Sequence, residues 1–231
     1  NRYNTENKIR YEKVEKNINL EIYRIRVREH KDIFWRRSIN YVSFMINSLI
    51  CAIKLKKGKY DVVITTSPPI TTAVTAFVFA YFKRLNFVLE VRDLWPDTLV
   101  QLNVFKNKII INFLKYVEQT LYKNAKLITV VSDGFKKYIA DKGLRQASLY
   151  TFTNGIDREF ILPDSDIEIK NILREKYNIP KNKTIISYVG NVGISQNLET
   201  VIDSVEKIEN DVMFLIIGEG LEKRRLLRLV R

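Results

Sequence analysis

Cysteine and histidine are nearly missing from this sequence: Cys51 and His30 are its only examples. One cysteine excludes an intramolecular disulfide, and one of each leaves a Cys/His zinc site short of ligands. A Ser-His-Asp triad would have to use His30. That residue stands among Arg28, Glu29, Lys31 and Asp32 and reads as a solvated surface histidine. Cys51 falls in an apolar stretch and reads as a small core residue; so low a cysteine content fits a reducing compartment. Eight glycines and five prolines in 231 residues exclude a collagenous or linker-dominated chain. No run reaches the roughly 20 apolar residues that span a bilayer. The nearest are Tyr41–Ile53, broken by Asn47 and Ser48, and Ile70–Phe82, softened by threonines.

What is present is a globular composition, 46% hydrophobic and 28% charged. The formal charge of +13 is unevenly placed: residues 1–60 carry +9, residues 61–162 carry +4, and residues 163–231 are neutral. A basic front suits an anionic surface, either nucleic acid or lipid headgroups, although a generally lysine-rich composition gives the same excess. Zinc spacing, an RNP-like aromatic strand and a recognition-helix motif are all lacking, which argues against nucleic acid. The chain opens on Asn1 and stops at Leu229-Val230-Arg231 inside an apparent helix, so a fragment is expected.

The pattern along the chain starts irregular and polar over Asn1–Asn19, then alternates over Leu20–Val27 as a half-exposed strand should. Arg36–Lys57 reads as a helix ended by Gly58. From there strands and helices alternate. Strands are expected at Asp61–Thr66, Phe87–Val91, Leu127–Val131 and Ser148–Thr153. Helices are expected at Ile70–Leu85, Ile109–Tyr122 and Asp133–Lys142, the last capped by Ser132. Pro163–Asp166 reads as a linker. Beyond it come a helix at Ile167–Tyr177, a strand at Thr184–Val189, a helix carrying Leu198, Val201, Ile202, Val205 and Ile208, and a strand at Val212–Ile217. Short, β-branched strands buried on both faces and alternating with helices predict an α/β protein with a parallel sheet. The division falls at 1–162 and 163–231, and the second part has too few strands to close a Rossmann-type sheet alone.

Ligands of open α/β sheets bind beyond the carboxyl ends of the strands, and four such ends carry unusual residues. Ser67-Pro68-Pro69 is a rigid turn, either a plain connection or part of a site. Arg92-Asp93, before Trp95-Pro96, offers a cation for a phosphate and a carboxylate for a hydroxyl, or the two pair with each other. Gly190-Asn191-Val192-Gly193, followed by Gln196, places free backbone N–H groups at a helix start, as an anion site needs, though two glycines alone are a weak pattern. Gly218-Glu219-Gly220 reads more simply as a turn.

Taken together, Asp61–Pro69 (DVVITTSPP), Glu90–Pro96 (EVRDLWP), Val130–Phe135 (VVSDGF), Asn154–Asp157 with Phe160, and Tyr188–Leu198 (YVGNVGISQNL) resemble a family-4 glycosyltransferase of the GT-B fold. The likeness runs from about Arg36 to the last residue. It is nearest to bacterial enzymes of surface polysaccharides, O-antigen and capsule, including N-acetyl-L-fucosamine transferase-like ones. The resemblance implies two Rossmann-like domains facing across a cleft: an acceptor-side domain lacking its opening strand, and the start of a nucleotide-sugar-binding domain. It implies transfer with retention from a UDP-N-acetylhexosamine type of donor to a lipid-linked saccharide, without metal or other cofactor, on the inner face of the cell membrane. By resemblance Asp93 and Arg92 are catalytic and Ser67 and Pro68 line the acceptor side. Gly190, Asn191, Gly193, Gln196, Gly218 and Glu219 hold the donor. Arg36, Arg37, Lys54, Lys56 and Lys57 are the expected membrane contacts. The family's opening strand and Gly-rich loop would precede Asn1, leaving an apolar slot in the first sheet, and its Glu-x7-Glu motif would follow Arg231. Arg92 stands where relatives often have His, and Asn191 and Gln196 where many have Arg and Lys, which leaves more of the phosphate to backbone dipoles. An inactive GT-B remnant acting as a binding module is the alternative; an epimerase fits the EVRDLWP and NGID strings less well.

Overall fold

The computed structural model describes residues 11–17, 20–25, 27, 34–56, 58–102, 106–143, 148–160, 167–205, 207–208 and 211–230. The expected features at His30, Lys57 and Pro163–Asp166 lie outside these residues, as do the side chains of Arg36 and Arg37. The chain forms two compact units, Asn1–Asn154 and Gly155–Arg231.

The described part of the first unit opens on a hairpin, β1 (Tyr11–Asn17) and β2 (Leu20–Ile25), paired antiparallel from Tyr11↔Ile25 to Asn17↔Leu20. Residues 11–17 show no strand period in the sequence, because Glu12, Lys13, Glu15 and Lys16 hide any alternation. The strand exists through its partner, whose register sets Glu12 against Arg24 and Val14 against Ile22. Helix α1 (Phe34–Lys54) follows.

The main sheet is built from β3 (Val62–Ser67), β4 (Asn86–Val91), β5 (Leu127–Val130) and β6 (Leu149–Thr151), in that spatial order and parallel throughout. Its connections carry α2 (Ile70–Lys83), α3 (Asp97–Gln101), α4 (Lys108–Asn124) and α5 (Asp133–Ala140). Each step moves one strand over in the same direction. Right-handed crossovers therefore put the connecting helices on one face. Phe87, Leu89, Val91, Ile128, Val130 and Leu149 bury against Ile70, Ala73 and Ala80 of α2, Leu121 and Tyr122 of α4 and Ile139 of α5 as a single core.

That topology corrects the expectation of strands buried on both faces. Alternate residues point away from the helices, and on β3 Val62 and Ile64 are exposed, Ile64 to 68%. β3 ends the sheet, and no strand among the described residues pairs with its outer edge. Helix α3 is also absent from the sequence reading, since five residues are too few to display a helical period.

The second unit holds α6 (Ile167–Lys176), β7 (Thr184–Val189), α7 (Glu199–Val205), β8 (Val212–Ile217) and α8 (Lys223–Leu229). β7 and β8 pair in parallel from Thr184↔Val212 to Val189↔Ile217. Its core is small: Val192, Leu198 and Leu226 are buried, with Tyr188, Val201, Ile202 and Ile216 packed around them.

Candidate functional site

The carboxyl ends of the four main strands lie in one row, because register pairs Ser67 with Val91, Val91 with Val130, and Val130 with Thr151. The backbone continues the row by one step, Arg92 N–H donating to Ser67 O at 2.8 Å and Phe152 N–H to Val130 O at 2.8 Å. Ser67, Arg92, Asp93 and Asn154 therefore share one end of the sheet, as its parallel topology requires.

Ser67 is buried, and Pro68 and Pro69 turn the chain into α2. Its peptide bond to Pro68, the next one to Pro69 and that between Trp95 and Pro96 are cis. The Thr72 hydroxyl braces this turn, lying 2.8 Å from Thr66 O and 2.7 Å from Pro69 O.

Arg92 and Asp93 do not pair with each other; the chain turns between them. The exposed Arg92 guanidinium crosses the end of β5 and donates to Asn154 Oδ1 at 3.0 Å. The half-buried Asp93 carboxylate turns to the start of α3. Its Oδ1 accepts from Leu94 N–H at 2.8 Å and from the Thr98 hydroxyl at 3.0 Å. Trp95 N–H donates to Asp93 O at 3.0 Å, which closes the turn. Next to this pair, Thr151 donates to Asp133 Oδ1 at 2.6 Å, and Ser132 accepts from Phe135 N–H at 3.3 Å as the cap of α5. A guanidinium and a carboxylate on one rim, facing different ways, can hold a phosphate and orient a sugar hydroxyl without cancelling each other. Asn154 and Thr98 are the partners that sequence reasoning missed. The NGID string was the available signal for Asn154; nothing local pointed to Thr98.

In the second unit all six predicted donor residues come to one end of β7 and β8. The ladder extends past the strands: Gly190 N–H donates to Ile217 O at 3.0 Å, Val192 N–H to Glu219 O at 2.9 Å, and Glu222 N–H to Val192 O at 3.1 Å. Gly218 and Gly220 have no room for a side chain. A Cβ on Gly218 would stand 1.8 Å from Gly190 O, and one on Gly220 2.1 Å from Val192 O. The Gly218-Glu219-Gly220 turn thus acts as the bed on which the Gly190–Gly193 loop lies. Within that loop Gln196 Oε1 accepts from Gly193 N–H at 3.2 Å and from Asn191 Nδ2 at 3.4 Å, and the Tyr188 hydroxyl donates to Asn191 O at 2.8 Å. Glu219 is exposed and pairs with Lys223. Arg225 ties Glu199 of α7 to Glu222, with contacts of 2.8 and 2.6 Å; such exposed pairs contribute little stability. The described residues contain no group of three metal-ligating side chains.

A family model described as Glycosyltransferase Family 4 matches residues 8–160. Among curated proteins, the chain is 25% identical over 197 residues to WcaI of Escherichia coli K12, named as a colanic acid biosynthesis glycosyl transferase. That match takes in 83% of this chain and 48% of WcaI. It is 26% identical over 164 residues to WbjE of Pseudomonas aeruginosa, named as a glycosyltransferase, covering 69% and 40%. Among solved structures, sucrose-phosphate synthase of Thermosynechococcus elongatus matches with a TM-score of 0.67 at 16% identity, over 94% of this chain and 53% of that one. HepE of Anabaena, solved with UDP and glucose, matches with a TM-score of 0.59 at 16% identity, over 80% and 46%. The chain thus spans about half the length of the relatives it matches. The family match takes in more than half of the chain and contains the whole strand-end row from Ser67 to Asn154, and on that ground the chain belongs to Glycosyltransferase Family 4, with an α/β fold of the GT-B type.

Proposed function

We propose that this chain forms the acceptor side and the beginning of the donor side of a sugar transferase. It moves a sugar, with retention, from a nucleotide-diphosphate donor of the UDP-N-acetylhexosamine type to a lipid-linked saccharide in surface polysaccharide synthesis. The observation that carries this reading is the strand-end row, with Arg92 and Asp93 held apart on it by Asn154 and Thr98. The name of WcaI and the UDP-glucose complex of HepE support the pathway and the donor class. The N–H groups of Gly190, Val192 and Gly193, expected to be free, are taken within the loop and its bed; leaving-group charge therefore falls to those of Asn191, Ile194 and Ser195, with no metal or other cofactor, a task that preorganised dipoles perform. Asp93 holds the acceptor and orients its attacking hydroxyl, Arg92 meets phosphate, and Ser67 and Pro68 shape the acceptor side. A nucleotide-release assay on the full-length protein with a panel of UDP- and GDP-sugars tests this. Release dependent on a lipid-linked acceptor and a UDP-sugar is expected. Nucleotide binding with no release from any donor would favour a binding module instead.

The same reading places the protein in the cytoplasm, peripheral on the inner membrane surface, where a lipid-linked acceptor is presented. No helix of the described residues is long and apolar enough to cross a membrane. Two helices are dressed for the interface. α1 turns Asn40 and Ser48 inward, where Asn40 Oδ1 and Ser48 Oγ find no partner, while Ile39, Val42, Ile46 and Ile53 are exposed. α4 exposes Ile109, Phe113 and Tyr116 beside the exposed Lys108 and Lys123. Apolar stripes edged by cations suit anionic headgroups, each cation near the surface adding about 1 kcal/mol. Vesicles rich in anionic phosphatidylglycerol should bind the protein at low salt and release much of it at high salt. Binding equal at both salts, or none at all, would remove the membrane from the proposal.

A further inference from the structure

Beneath the Arg92–Pro96 turn lies a cluster of charges that the transfer chemistry does not use. Asp97 opens α3, four residues after Asp93, and its side chain is only 13% exposed. Its Oδ2 accepts from the Tyr138 hydroxyl of α5 and from Lys142 Nζ, just past α5, at 3.0 Å; its Oδ1 accepts from Lys115 Nζ of α4 at 3.0 Å. Lys142 Nζ continues to Glu118 Oε2 at 2.7 Å, and Glu118 Oε1 accepts from the Tyr122 hydroxyl at 2.9 Å. Lys142 also sits over the Tyr138 ring, 4.7 Å from its centre. Two carboxylates and two ammonium groups thus cancel inside the helical layer.

Asp97 carries its charge at working pH. Burial opposes ionisation of Asp97, but its bonds from Tyr138, Lys115 and Lys142 outweigh burial and hold the carboxyl down at about 2. Burial raises Glu118, whose side chain is 4% exposed, while Lys142 and Tyr122 offset that rise in part.

Stability alone does not explain such a cluster. Taking charges out of water costs about what their attraction returns, and apolar side chains would hold α3 down as well. What the ions add is direction. Donors from two helices converge on one carboxylate and admit one placement of the first residue of α3. The next residue, Thr98, carries the hydroxyl bound to Asp93 Oδ1. We propose that Asp97 is a positioning residue: by locking the first turn of α3 to α4 and α5, it sets where Asp93 and Arg92 stand towards the acceptor. This inference deepens the transferase reading and rests on it.

Asp97→Asn in the full-length protein keeps the size and removes the charge. The acceptor KM should rise about tenfold with the donor KM unchanged, since small misplacements of orienting groups are costly. A second readout needs no activity. Trp95 lies within the turn, and it is the single reporter once every other tryptophan of the full-length protein, Trp35 among them, is replaced by Phe. Its acrylamide quenching should increase about twofold once the turn loosens. Unchanged quenching overturns the inference. So does a lower kcat with both KM values unchanged, the mark of a merely smaller folded fraction. If Asp97→Asn does not fold, Tyr138→Phe, which deletes one donor, should shift both readouts the same way by a smaller amount; no shift overturns the inference. Should the parent protein transfer no sugar, the functional reading fails while the Trp95 measurement still decides the positioning role.

Discussion

Asp93→Asn in the full-length protein is expected to lower turnover by roughly 100-fold or more, the range over which a positioned acid–base group acts. The geometry makes this variant a clean test. Asp93 Oδ1 accepts from Leu94 N–H and the Thr98 hydroxyl. An asparagine oxygen accepts the same two bonds, so the first turn of α3 keeps its partners and only the charge leaves. Loss of turnover at unchanged melting temperature would assign the effect to the carboxylate. Turnover near normal, again with normal melting, would leave Asp93 as a brace of the turn before α3 and nothing more. Thr98→Val is the complement. It keeps the charge and removes the brace, so it should raise the acceptor KM more than it lowers kcat.

Gly218→Ala should be the most damaging single methyl in the second unit. Overpacking usually costs about 1–3 kcal/mol because side chains shift to make room. Here the added carbon would meet Gly190 O at 1.8 Å, and Gly190 is backbone tied to Ile217 O by a 3.0 Å hydrogen bond. Relief means opening the strand-end ladder, at about 1 kcal/mol for each bond lost. A cost of about 3 kcal/mol or more follows, against a core with Val192, Leu198 and Leu226 at its centre. Urea unfolding followed by circular dichroism should show an early transition for the second unit and an unmoved one for the first. A profile matching the parent would show that the loop can move aside.

Most of the parallel core was legible in the sequence. β3, β4, β5, β7 and β8 are short runs of β-branched and apolar residues between turn formers, a signal that survives without tertiary context. The row of strand ends was legible too, because ligand positions in such sheets follow from topology. The losses share a cause, dependence on partners outside the segment itself. β1 carries charge at four of its seven positions and is a strand because β2 lies beside it. α3 is too short for a period, and its anchors, Lys115 and Lys142, are far along the chain. The one-sided burial of the main sheet reflects the direction of successive crossovers, which hydropathy does not record. Gly218 and Gly220 looked like an ordinary turn, since their meaning lies in an approach to Gly190 and Val192 through space.

That approach divides the end of β7 and β8 by its freedom to vary. Gly218 and Gly220 are fixed by the backbone they touch, and Val192 is fixed by burial. Asn191, Ile194, Ser195 and Gln196 are exposed on the outer side of the same loop. A library randomised at those four positions should fold throughout, whereas one that includes the glycines should lose most of its members. On the proposed reading, variation within this loop is confined to four surface side chains, over a backbone that the two glycines hold in place.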